Sequence, residues 1–134
     1  MAKKRILIVD DEAALTRVLS YALEETGAYT VATEQRATQA LTTVKAFKPD
    51  VILLDVIMPD LDGGVVAEQL RDDPTTKAIP IVLLTAMASH DDVLAKGGRV
   101  GGLPFLAKPI DVKKVIACLE RHLATDGSAH NEMR

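Results

Sequence analysis

The chain has little of what most often announces a function. It holds one cysteine, Cys118, so no disulfide can close within it, and a reducing cytoplasm is the expected compartment. Tryptophan is absent and aromatic residues make up 3 %, which excludes a base-stacking platform for single-stranded nucleic acid. Positive charge is not in excess either. Sixteen Lys and Arg against nineteen Asp and Glu leave a net −3, the wrong sign for a general nucleic-acid binder. No apolar run approaches the roughly 18 residues that cross a bilayer, so no membrane insertion is expected. The basic opening, MAKKRILIVDDE, leads into an apolar stretch too short for a signal peptide. The histidines His90, His122 and His130 are scattered, none at metal-ligand spacing from another, and they read as surface or structural residues.

What is present is a regular alternation. The 134 residues, 48 % of them hydrophobic, suffice for one domain with a sizeable core. Four apolar runs stand out, at residues 6–9, 51–54, 81–84 and 103–107, and a weaker one at 29–32. None alternates in polarity, as befits strands of a parallel sheet buried on both faces. Between them the period becomes helical: Leu15, Val18, Leu19, Ala22 and Leu23, then Ala37, Ala40, Leu41 and Val44, and finally Val112, Val115, Ile116, Leu119 and Leu123. Asp111 suits the N-cap of the last helix, Ser89 with Asp92 a capping box, and Gly27 the close of the first helix. A shorter helix is expected from about residue 64 to 71, with Asp62 or Gly63 near its start. Cys118 lies beside the last apolar stripe and reads as packing. A five-fold βα repeat of this kind predicts an α/β, flavodoxin-like open parallel sheet of five strands in the order 2-1-3-4-5, with helices on both faces. The folded unit is expected over residues 1–124, followed by a flexible tail or linker over 125–134.

In such a sheet ligands bind beyond the carboxyl ends of the strands, and acids collect there. The first strand runs out into Asp10 and Asp11. In VILLDVIMPDLDGG the third strand ends on Asp55 before any turn residue appears. Singly, Asp11 could cap a helix and Asp10 could accept turn amides, whereas Asp55 has no such local explanation. The two strands are neighbours in the expected order, so three carboxylates converge. Unit charges about 4 Å apart repel by roughly 4 kcal/mol at an effective dielectric near 20. The cluster therefore needs a shared proton or a cation. With only oxygen donors, the cation expected is hard and divalent, Mg²⁺ before Ca²⁺, with Mn²⁺ as a substitute. The fourth strand ends with Thr85, and Lys108 follows the fifth. A hydroxyl and an ammonium around one carboxylate are the set that phosphoryl transfer requires, with Asp55 as nucleophile and an acyl phosphate as product.

The segments ILIVDDE, VILLDVIMPDLDGG, PIVLLTA and FLAKPIDV, in that order and at these separations, resemble the response-regulator receiver domains of two-component signalling, including the chemotaxis regulators. The resemblance covers residues 5 to 124. It implies that Asp55 accepts a phosphoryl group from a sensor histidine kinase or a histidine phosphotransfer protein. It also implies Mg²⁺ bound by Asp11, Asp55 and the Ile57 carbonyl, with Asp10 acting through water. Lys108 would pair with the phosphoryl group, Thr85 would hydrogen-bond it, and the Lys108–Pro109 bond would be cis. Phe105 would move into the space that Thr85 leaves, changing the face of the fourth helix, fifth strand and last helix toward a downstream effector or output domain. No direct contact with nucleic acid is implied. Such a domain is a switch, not a turnover enzyme; its chemistry is self-phosphorylation from a donor and autodephosphorylation.

Two features depart from that pattern. Ile57 is apolar where many relatives carry a polar group, which predicts slow loss of phosphate. The segment KGGRVGGLP, residues 96–104, carries four glycines and is about one residue long for the family; it predicts a loop and a short fourth helix, with Pro104 at the beginning or edge of its strand. An aspartyl-nucleophile phosphatase of the haloacid dehalogenase type would need a second acid at position 57 and room for a cap domain. A receiver-shaped module that docks without phosphate is the other alternative.

Overall fold

The computed structural model describes residues 3–86, 99–100 and 102–128. Its elements are β1 (Lys4–Val9), α1 (Ala13–Glu25), β2 (Tyr29–Glu34), a 3₁₀ turn (Ala37–Gln39), α2 (Ala40–Phe47), β3 (Val51–Asp55), α3 (Gly63–Asp72), β4 (Ile81–Thr85), β5 (Arg99–Val100), β6 (Leu103–Ala107) and α4 (Val112–Ser128). Five strands are parallel, in the order β2-β1-β3-β4-β6, which is the expected 2-1-3-4-5 sheet. The expected fourth helix, the Ser89–Asp92 capping box, His90 and His130 lie outside the described residues.

Strand geometry explains why the apolar runs are unbroken. Successive side chains leave a strand on opposite faces, and here both faces are covered. Leu7, Val9, Ile52 and Leu54 pack with Val44 of α2 and Val66 and Leu70 of α3. Ile6, Ile8, Val51 and Leu53 pack on the other side with Leu19 and Leu23 of α1 and Val115 and Leu119 of α4. Cys118 sits buried in that second layer. Two expected helix boundaries also appear: Gly27 takes a φ of 79° just beyond α1, and Asp111 accepts the Lys113 amide at 2.9 Å ahead of α4.

Three features differ from the sequence reading. Val18, grouped with the core stripe of α1, is 63 % exposed. The helical period marks a stripe but not its width, and among the described residues no element covers Val18. The glycine-rich segment is not wholly loop: Arg99 and Val100 pair antiparallel with Pro104 and Leu103, adding a sixth, two-residue edge strand. Pro104 is second in β6, and β6 pairs with β4 from Phe105 onward, so its missing donor costs no bond to the central sheet. Finally, α4 continues to Ser128, past Ala124.

Candidate phosphoacceptor site

Parallel pairing brings every strand end to one rim. Val9 is level with Leu54, Asp55 with Leu84, and Thr85 with Ala107. Residues that follow or end those strands must therefore meet: Asp10 and Asp11 after β1, Asp55 ending β3, Thr85 ending β4, and Lys108 after β6. The structure brings carboxylate oxygens of Asp10, Asp11 and Asp55 within 4.8 Å of one another. The Lys108 ammonium joins them, with Nζ 3.0 Å from Asp10 Oδ2 and 3.5 Å from Asp55 Oδ1. The Lys108–Pro109 peptide is cis, and the Lys108 amide donates to the Thr85 carbonyl at 2.9 Å. Thr85 is buried at the rim.

Burial governs the electrostatics. Asp10 is completely buried and Asp55 is 3 % exposed, while Asp11 is exposed. One Asp10 oxygen accepts the Glu12 amide at 2.9 Å. The other, Oδ2, is ion-paired with Lys108 but receives no hydrogen bond of good geometry. Asp11 does not cap α1, whose N-cap is Glu12, and that residue makes no side-chain cap bond. The Asp55 carboxyl is pushed up to about 6, first by burial and then by the Asp10 charge; the Lys108 charge and the Ile57 amide oppose this. Burial alone would lower the Lys108 ammonium, yet its hydrogen bond to Glu12 and the charges of Asp10 and Asp55 hold it above its ordinary range.

The loop after β3 is held at both ends. Asp55 Oδ1 accepts the Ile57 amide at 3.3 Å. Asp60 accepts the amides of Ala37 and Thr38 at 3.2 and 3.0 Å, which ties the loop to the 3₁₀ turn. Asp62 caps α3 by accepting the Gly64 amide at 2.6 Å. At Gly63 the backbone passes so close to the Asp55–Val56 peptide that a Cβ would lie 2.2 Å from the Asp55 carbonyl oxygen. Only glycine fits there. The Ile57 side chain is left 54 % exposed beside the cluster.

One participant was not picked out from the sequence. Glu12 makes a short hydrogen bond and ion pair with Lys108, 96 residues away. Its only trace in the sequence is that it is the third acid in a row after a strand.

The donor set suits a hard divalent cation. Three carboxylates are clustered, one of their buried oxygens lacks a well-formed hydrogen bond, and among the described residues no histidine or cysteine joins them. Comparison with known proteins agrees with this geometry. Residues 6–120 match the model of the response regulator receiver domain. The chain belongs to that family.

The response regulator PleD of Caulobacter vibrioides is 45 % identical over 107 residues, covering 80 % of this chain and 23 % of PleD. The phosphate regulon transcriptional regulatory protein PhoB of Pseudomonas aeruginosa is 36 % identical over 132 residues, covering 98 % of this chain and 57 % of PhoB. The chain thus spans about a quarter to just over half the length of these relatives. Among solved structures, the chemotaxis protein CheY4 of Vibrio cholerae superposes with a TM-score of 0.76 at 30 % identity, covering 90 % of this chain and 98 % of CheY4. The receiver domain of a signal transduction histidine kinase from Syntrophus aciditrophicus gives 0.77 at 30 % identity, covering 98 % and 96 %. Receiver domains are signalling switches of two-component systems rather than classical enzymes, and they bind Mg²⁺ in an acidic pocket of this kind. Among the described residues no helix is long and apolar enough to cross a membrane.

Proposed function

We propose that this receiver is a cytoplasmic phosphoacceptor switch in which Asp55 takes a phosphoryl group from a histidine kinase or a histidine phosphotransfer protein. One observation carries the reading: three carboxylates within 4.8 Å share a rim with an ammonium 3.5 Å from the Asp55 oxygen. An Asp55 carboxylate oxygen attacks phosphorus. A new O–P bond forms as the donor's N–P bond breaks; the bonding pair leaves with the imidazole, which takes a proton from water. Lys108 supplies positive charge to the equatorial oxygens, and the Thr85 hydroxyl donates to one of them. Asp11, Asp55 and the Ile57 carbonyl would hold Mg²⁺, or Mn²⁺ in its place, with Asp10 acting through water. Bound there, the ion neutralises charge that these acids and the phosphoryl group cannot share unaided.

The new charge is local, and packing makes it visible at a distance. Thr85 turns toward the phosphoryl oxygens, and Phe105, half-buried against the α2–α3 layer, follows it inward. The altered face comprises the fourth helix expected from the sequence, β6 and α4, and it meets an effector protein or an output domain.

Incubation with acetyl phosphate and Mg²⁺, followed by intact mass measurement, tests the proposal. The expected result is the gain of one phosphoryl group, lost in Asp55→Asn and on chelation. A parent protein that gains no mass is instead a phosphate-independent docking module.

A further inference from the structure

Lys108 is shared by three carboxylates that differ in what they give up by letting go. Asp10 and Asp55 are buried and regain no water if the ammonium leaves. The Glu12 side chain is 57 % exposed, so water replaces the lysine at once. Glu12 also hydrogen-bonds the ammonium, and its carboxylate makes no cap bond to α1. Its backbone is pinned, because the Glu12 amide donates to Asp10 Oδ1; this holds the side chain over Lys108. An ammonium has three N–H donors. A phosphoryl group on Asp55 brings new acceptor oxygens to a lysine whose donors already face three carboxylates.

We infer that Glu12 is a positioning residue for phosphoryl acceptance: it holds the Lys108 ammonium at rest and is the carboxylate displaced when the phosphoryl group takes that ammonium. The inference rests on the phosphoacceptor reading above and deepens it. Glu12 itself touches no reacting atom. It sets the starting position of Lys108, and its negative charge stands where a dianionic donor must approach. Removing that charge while keeping the shape frees the lysine and lowers the repulsion together, so the test must separate the two.

Two measurements do so. In the unphosphorylated protein, the rate at which an amine-specific reagent modifies Lys108, followed by peptide mass spectrometry, reports the hold directly and needs no phosphoryl transfer. Glu12→Gln should raise it several-fold, Glu12→Asp by less, and Glu25→Gln, an exposed acid at the far end of α1, not at all. Unchanged labelling in Glu12→Gln overturns the inference. The rate of mass gain from acetyl phosphate should likewise rise several-fold in Glu12→Gln, and this gain should vanish in a Lys108→Met background. An equal gain with and without the lysine means that Glu12 acts by charge alone, and this too overturns the inference. If no variant takes up phosphate, the phosphoacceptor reading fails, while the labelling still decides whether Glu12 holds Lys108.

Discussion

Asp55 ends a strand whose four preceding residues are completely buried, and its own carboxyl lies almost as deep. Burial and the Asp10 charge make its ionisation costlier than in water. An ionisation moved from 3.8 to about 6 corresponds to up to ~3 kcal/mol at neutral pH. The sign follows from linkage: a raised folded-state value gives stability that is present below the unfolded value and lost as pH rises through the folded one. Asp55→Asn cannot ionise. Its advantage over the parent, measured by urea denaturation with chelator present, should be small below pH ~4, grow between ~4 and ~6, and stay constant above. At the neighbouring position, Ile57 offers nothing to orient a hydrolytic water. Ile57→Asn should therefore lose phosphate several-fold faster than the parent in a chase after donor removal. Equal decay would remove Ile57 from the account. The meeting of Asp10, Asp11, Asp55 and Lys108 at one rim was legible because these residues, like Thr85, end or follow strands, where an ionisable or hydroxyl group closes an apolar run. Glu12 was not, because its meaning comes from a partner 96 residues away and no periodicity marks it.

At the scale of elements, the strands were the most legible part. A parallel strand covered on both faces has no polar alternation to blur its limits, so the run 103–107 matches β6 residue for residue. Helix faces were less exact. Val18 and Tyr21, 63 % and 68 % exposed, follow the same period as the buried Leu19 and Leu23 or lie next to them; coverage by neighbours, not spacing, decides between them. The two-residue strand β5 has a faint signature in the sequence: a Gly-Gly pair between Val100 and Leu103 is hairpin chemistry, and Gly102 does take a φ of 84°. At the close of α2 the chain uses Lys48 in the left-handed conformation, φ 56°, where glycine is preferred. Lys48→Gly relieves a cost of ~1–2 kcal/mol, partly offset by the ~0.5–1 kcal/mol of chain entropy that glycine loses on folding, and should raise the denaturation midpoint. A lower midpoint would mean that the lysine side chain contributes more than the backbone strain costs.

Over the whole molecule, one arrangement converts sequence into chemistry. Strands 5 to 6 residues long, laid parallel in register, deliver their next residues to a common rim. The core behind that rim is apolar on both faces, so the acids gather at its end, where Asp10 and Asp55 lie buried beside Lys108. The fold class and the rim were readable because the apolar runs, their order and the residues that end them all point the same way. The helix expected between β4 and β5 lies outside the described residues. What the assembled molecule requires is a counter-charge for three clustered carboxylates beyond the one that Lys108 supplies. Calorimetric titration with Mg²⁺ measures this directly. The account predicts saturable binding of one ion to the parent, abolished in Asp11→Asn and in Asp55→Asn. A parent that takes up no ion, or variants that bind as tightly as the parent, would contradict it.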